Sequence, residues 1–288
     1  MARSVYINGS YRPYADAVVH AEDRGFQFGD AVYEVIEVKN GRLVDLDRHL
    51  TRLDRSLSEL SIEPPMTRGA WNAVVRETLR RNRVKEGSVY LQVSRGAGPR
   101  NFMFDGVQTA PTVVCLARPG NLAKQQAAAM KGVAVMTCDD PRWARCDIKT
   151  VMLLPASLAK EQAKAKGAQE AWFVDSSGYV LEGGSSNAWI INQANEVVTR
   201  PADSAILRGV TRMTLIDTLN AAGLHFVERA FTLEEALSAK EAFLTSATNM
   251  VMPIVRIDDH AVGDGTPGPV VAELRNLFHT VASSEPVA

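Results

Sequence analysis

The chain has 288 residues, with 32 basic and 33 acidic side chains and a formal net charge of −1, so charge gives no basis for recruiting nucleic acid or an anionic membrane. Hydrophobic residues make up 46 %, enough for a sizeable core, while no apolar run approaches the roughly 20 residues of a membrane span. The start, MARSVYING, lacks the apolar stretch of a signal peptide, and Cys115, Cys138 and Cys146 are odd in number without C-x-x-C spacing, which argues against a disulfide framework or a zinc site; a cytoplasmic protein is expected.

The elements follow in chain order. Residues 5–8 and 11–14 read as a hairpin about Gly9-Ser10. Residues 32–38 alternate and are β-branched, Asn40-Gly41 is a turn, and RLVDL is the returning strand. Leu46, Leu50, Leu53, Leu57 and Leu60 recur at helical spacing and predict a helix over 47–60. A second helix is expected over 68–83, then strands over 88–94 and 112–117 separated by a loop rich in Gly, Pro and Arg. Pro119-Gly120-Asn121 is the candidate linker. Beyond it come a strand over 133–138, a helix over 155–166 stopped by Gly167, and strands over 171–175, 179–182, 188–192, 196–199 and 225–230. A helix is expected over 210–222, and Thr232 with Glu235 forms a capping box for another over 233–239. Strands over 241–245 and 252–257 and an amphipathic helix over 269–282 complete an α+β chain.

Six stretches carry candidate chemistry. Lys149, between Ile148 and the run Val151 to Leu154, is either a desolvated amine ready to act as a nucleophile or a lysine that snorkels to the surface. Glu182-Gly183-Gly184-Ser185-Ser186-Asn187 is a ligand-approaching loop or a plain polar turn. Leu207-Arg208-Gly209-Val210-Thr211 opens a helix, where unpaired N–H groups make an anion site; the simpler alternative is Thr211 as a cap. Thr245 to Asn249 is a second small, hydroxyl-rich turn. Arg95 and Arg100 in a glycine loop suit carboxylate capture or plain solvation. Arg52 sits at the edge of a leucine stripe, most simply as a solvent-facing arginine. The five histidines show no metal-binding spacing, and neither a P-loop nor a serine-nucleophile elbow occurs.

Taken in order, DRGFQFGDAVYEV (23–35), RHLTRL (48–53), YLQVSRGAGPRN (90–101), DIKT (147–150), EGGSSN (182–187), ILRGVTR (206–212) and TSATNMVMPI (245–254) resemble the fold type IV enzymes dependent on pyridoxal 5′-phosphate (PLP). That group holds D-amino acid aminotransferases, branched-chain aminotransferases and aminodeoxychorismate lyases. The resemblance implies two domains, a smaller N-terminal α/β lobe over 1–119 and a larger lobe over 120–288 with a β-barrel-like sheet, with PLP bound between them in a homodimer. It implies that Lys149 is the Schiff-base (internal aldimine) lysine and that Glu182 contacts the pyridine nitrogen. Arg52, Val210 and Thr211 match phosphate-binding positions, Gly209 belongs to the cofactor-binding set as a residue that permits close approach, and Leu207 packs on the ring. Ser186, Asn187, Ala247 and Thr248 complete the cofactor set, and Thr248 also serves the substrate. Tyr33, Arg100 and Phe102 match the substrate side.

EGGSSN and SRGAGPRN bring the chain nearest to the D-amino acid aminotransferases, implying transamination between a D-amino acid such as D-alanine and a 2-oxo acid such as 2-oxoglutarate. Branched-chain L-amino acid, (R)-amine or lyase activity are the alternatives. Two positions depart from that group. Phe102 stands where it usually has histidine, and Ala247 where many relatives have a phosphate-contacting threonine.

Overall fold

The structure, a computed structural model, describes residues 3–104 and 110–287; residues 105–109 of the predicted loop and Met1 and Ala2 of the N-terminal stretch lie outside them. The chain forms two compact units, one of Met1–Leu122, Ile148–Met152 and Ser283–Ala288, the other of Ala123–Asp147 and Leu153–Ala282.

The first unit opens with β1 (Ser4–Ile7), β2 (Ser10–Pro13), α1 (Arg24–Phe28), β3 (Ala31–Lys39), β4 (Arg42–Val44), α2 (Leu46–Glu59), α3 (Arg68–Asn82), β5 (Gly87–Ser94) and β6 (Thr112–Pro119). The second contains α4 (Leu122–Lys131, whose first residue groups with the first unit), β7 (Val133–Asp139), α5 (Leu154–Ala165), β8 (Glu170–Val174), β9 (Val180–Gly183), β10 (Asn187–Ile191) and β11 (Val197–Thr199). It continues with α6 (Val210–Ala221), β12 (Phe226–Glu228), α7 (Leu233–Leu237), β13 (Glu241–Ser246), β14 (Met250–Ile257), β15 (His260–Ala261) and α8 (Pro269–Val281). A last strand, β16 (Ser284–Pro286), returns to the first unit.

The first unit is a seven-stranded sheet in the order β16-β4-β3-β5-β6-β1-β2. Its β3 buries Val32, Glu34, Ile36 and Val38, the even positions of an alternating strand, beside Leu46, Leu50, Leu53 and Leu57 of α2 in one core. The second unit is built on a nine-stranded sheet. Within it β9, β10, β13, β14, β7 and β8 close into a six-stranded barrel, because β10 pairs with β9 as well as with β13. The closing pair is Asn187 opposite Glu182. One core cluster of this unit holds Trp172 and Phe231; another sets Leu215 and Leu219 of α6 and Leu274 and Phe278 of α8 with Trp189 and Phe243. Helix α5 buries Ala156, Ala159 and Ala163 with Ala171 and Phe173 of β8, small residues that let a helix lie close to a sheet.

Most expected elements form within a residue or two of their predicted bounds, an ordinary uncertainty for element ends. Several details differ, among them the short strands β15 and β16, which were not expected. The first hairpin turns at Asn8-Gly9, both at positive φ, rather than at Gly9-Ser10. Helices α1 and α4 were not expected from the apolar pattern. Thr232 does cap α7 by accepting from the Glu235 amide at 3.1 Å, but the Glu235 carboxylate pairs with Arg229 instead of closing the box.

Candidate functional site

In the first unit, Lys149 lies on a segment far away in sequence that docks on the free edge of β3. The Tyr33 amide donates to the Lys149 carbonyl at 3.0 Å, the Val151 amide donates to the Ala31 carbonyl at 3.1 Å, and Thr150 bridges Val32. Ile148 anchors the segment in the core, and the Lys149 amide donates to the Ser56 hydroxyl at 3.4 Å. These contacts fix the backbone and leave the side chain to reach over Tyr33, with Nζ 4.1 Å from the ring centroid. Tyr33 is in turn stacked on Tyr90, with centroids 5.6 Å apart. Burial and the neighbouring Tyr33 push the Tyr90 hydroxyl up to about 12. The side chain of Lys149 is half-buried, and no carboxylate of the described residues in its unit lies within ion-pair distance. Its amine therefore faces an aromatic plane rather than a counter-ion.

Arg52 is not solvent-facing: it is 8 % exposed and forms a two-pronged pair with Glu34. The reason is register. Helix α2 buries His49, Arg52 and Ser56 beside its leucines, and β3 turns Glu34 to the same side. The expected loop residues are more exposed. Arg100 lies on the surface with its cation 5.4 Å from the Phe28 centroid, and Phe102 is 76 % exposed, edge-on to Phe28. Arg95, considered with Arg100, is occupied instead by Asp30 and the Leu60 and Ser61 carbonyls.

In the second unit, Glu182 and Asn187 meet where the barrel closes. Glu182 is 5 % exposed. One of its oxygens accepts from Asn187 Nδ2 at 3.0 Å and from the Leu207 amide at 3.0 Å; the other accepts from Arg142 Nη1 at 2.5 Å. Asn187 also donates to the Leu207 carbonyl at 2.9 Å, so it ties Glu182 to the segment leading into α6. Arg142 was missed in the sequence. It is held by Asp140 as well and lies over Phe173, 4.4 Å from the centroid. Burial alone would lower its pKa; Asp140 and Glu182 outweigh that and raise it. The only sequence signal was the basic and acidic pattern DDPRWARCD.

The segment carrying Leu207 leads to the start of α6. Gly209 is its N-cap, and no side chain caps the helix, so Thr211 does not act as a cap. Val210 and Thr211 are buried in its first turn, where N–H groups have no intrahelical acceptor. A Cβ on Gly209 would lie 2.1 Å from Asn187 Oδ1, which explains the glycine. Ser186 is buried but its hydroxyl donates to Glu170 at 3.1 Å, as does that of Ser185 at 2.9 Å. Ala247 and Thr248 fall in the turn between β13 and β14; Thr248 is exposed, and its carbonyl accepts from Gln125 at 2.7 Å.

The structure thus brings Lys149 to Tyr33 in one unit, and Glu182, Asn187, Leu207 and Gly209 together in the other. Chemically, it offers an amine without a carboxylate partner, a buried carboxylate held by three donors, and an uncapped helix start. No group of three or more His, Cys, Asp or Glu side chains suited to a metal occurs among the described residues. No helix among them is long and apolar enough to cross a membrane.

Comparison with known proteins bears on these features. The D-alanine aminotransferase of Bacillus licheniformis is 37 % identical over 281 residues, covering 98 % of this chain and 98 % of its own. That of Staphylococcus haemolyticus is 36 % identical, covering 97 % and 98 %. A solved branched-chain amino acid aminotransferase from T.th., complexed with N-(5′-phosphopyridoxyl)-L-glutamate, superposes with a TM-score of 0.88 at 25 % identity, covering 97 % of this chain and 93 % of its own. Residues 31–257 match the family described as amino-transferase class IV, and with that span and those relatives, the chain belongs to the class IV aminotransferases.

Proposed function

We propose that this protein is a PLP-dependent D-amino acid aminotransferase, moving the amine of a donor such as D-alanine to a 2-oxo acid such as 2-oxoglutarate. The observation that carries it is the identity of 37 % with a D-alanine aminotransferase along 98 % of both chains. The donor set fits a phosphopyridine. A cation and an uncapped helix start suit the phosphate, a buried carboxylate suits a ring nitrogen, and an amine without a carboxylate partner suits an aldehyde.

When bound, PLP supplies an electron sink for the charge left when the substrate Cα loses its proton. Lys149 would hold the cofactor through its amine and would carry the proton to and from the substrate Cα. Tyr33 supports that amine from below. Glu182, braced by Arg142, Asn187 and the Leu207 amide, keeps the ring nitrogen protonated. Arg52 and the amides of Val210 and Thr211 hold the phosphate, with Gly209 allowing close approach, and Leu207 packs against the ring. Ser186, Asn187, Ala247 and Thr248 line the remainder of the cofactor, Ser186 through its link to Glu170. Tyr33, Arg100, Phe102 and Thr248 face the substrate. The domains of this reading are the smaller lobe expected over 1–119 and the larger expected over 120–288, although Ile148–Met152 and Ser283–Ala288 group with the first unit. The protein works as a cytoplasmic homodimer, in keeping with three unpaired cysteines and with exposed Phe26, Phe102 and Met103.

Lys149→Ala tests the reading. The variant should fold, lose turnover with D-alanine and 2-oxoglutarate, and take up no label on borohydride reduction with PLP. Turnover at the wild-type rate in that variant ends the proposal for Lys149. Half-reaction spectra with D-alanine, L-leucine and (R)-1-phenylethylamine test the substrate: conversion by L-leucine alone would overturn the D-specific assignment.

A further inference from the structure

Glu34 and His49 have no part in the chemistry above, yet they surround Arg52. The Glu34 side chain has no solvent exposure, and that of His49 only 3 %. Arg52 donates from Nε to one Glu34 oxygen and from Nη2 to the other, both at 2.7 Å. His49 Nδ1 reaches the second oxygen at 2.7 Å. Burial would raise the Glu34 pKa, but Arg52 and then His49 prevail and hold it at about 2. The carboxylate is therefore ionised near neutrality, and His49 Nδ1 carries the proton of that bond.

A carboxylate gripping the Nε–Nη2 edge fixes the plane of a guanidinium. The other edge, Nη1 with the second Nη2 hydrogen, then points away from Glu34. That edge has the fork that suits phosphate oxygens. We propose that Glu34, steadied by His49, is a positioning residue that orients the Arg52 guanidinium so that its outer edge holds the phosphate of the cofactor. This rests on the phosphate role given to Arg52 above. A merely charge-balancing Glu34 makes the opposite forecast: its loss would leave a stronger cation and tighter binding of a dianion.

The test separates phosphate binding from everything else. Full-length protein freed of cofactor is titrated, by absorbance, with PLP and with pyridoxal, which lacks the phosphate. In Glu34→Gln a donor replaces one accepting oxygen, so the guanidinium is displaced. The Kd for PLP should rise about tenfold while that for pyridoxal stays within about twofold. His49→Gln, which keeps a donor, should bind PLP as wild type does, whereas His49→Phe should lose about threefold. Unchanged or tighter PLP binding in Glu34→Gln overturns the proposal. Should that variant not fold, His49→Phe decides in the same way. Arg52→Ala is the separate control. If it keeps the wild-type preference for PLP over pyridoxal, the phosphate role of Arg52 fails, and this inference with it. If it loses the preference while Glu34→Gln keeps it, only the positioning role fails.

Discussion

Gly209→Ala isolates the junction between Glu182 and α6. Gly209 has φ −62° and ψ 136°, which alanine adopts without strain, so by unfolded-chain entropy alone the change would stabilise by about 0.4–1 kcal/mol. Sterics reverse the sign. The new Cβ would stand 2.1 Å from Asn187 Oδ1 and 3.3 Å from the Arg212 Cβ, so Asn187 must move. Moving it breaks the bonds of Nδ2 to Glu182 and to the Leu207 carbonyl. A bond to a charged group contributes about 1.5–3 kcal/mol and a neutral one about 1 kcal/mol. After subtracting the entropic gain, the net loss is about 2–3 kcal/mol, or a Tm lower by about 3–5 °C in a chain of this size. Asn187→Ala removes the obstructing oxygen, so adding Gly209→Ala to it should leave Tm unchanged or slightly raised. Thermal unfolding of wild type, both single variants and the double variant, followed by circular dichroism, gives the coupling directly. An equal loss from Gly209→Ala in both backgrounds, or a gain in the wild-type background, would refute the steric argument.

Acid should destabilise the first unit in a defined sense. Glu34 is depressed from 4.5 to about 2, so its contribution is complete above pH 4.5 and is lost as pH falls towards 2. His49 is depressed from 6.5, chiefly by burial, so its contribution has the same sign and declines as pH falls below 6.5. Tm measured from pH 7 to 3 should fall, and Glu34→Gln should flatten the limb below pH 4.5; a wild-type Tm independent of pH contradicts both assignments. Gly132→Ala should destabilise the barrel, since Gly132 has φ +72° and its Cβ would lie 2.3 Å from Val255 Cγ1. The left-handed backbone alone costs about 1–2 kcal/mol for alanine. Val255→Ala should recover the steric part in urea titrations, and no recovery would point to the backbone alone.

The sequence was most legible where local physics suffices. The leucines of α2, the alternation of β3 and the Asn40-Gly41 turn all form as read. Helix α4 was passed over because it buries only Ala129, so its alanine-rich sequence carries no apolar stripe. Helix α1 has five residues, too few to show a period, although Asp23 caps it and Gly29 ends it at positive φ. Arg52 was misjudged locally because position on a helix edge does not reveal what faces it.

By its sequence alone, the protein declared the order of its elements, its family motifs and the residue types of its candidate site. Tertiary structure decided which partners those residues meet. It laid Lys149 along β3, more than a hundred residues upstream, closed the barrel at Glu182 and Asn187, and set Glu34 against Arg52. Each of these pairings depends on strand register and helix rotation between distant segments. Spacing within a segment encodes which face a side chain takes, but not which other segment covers that face.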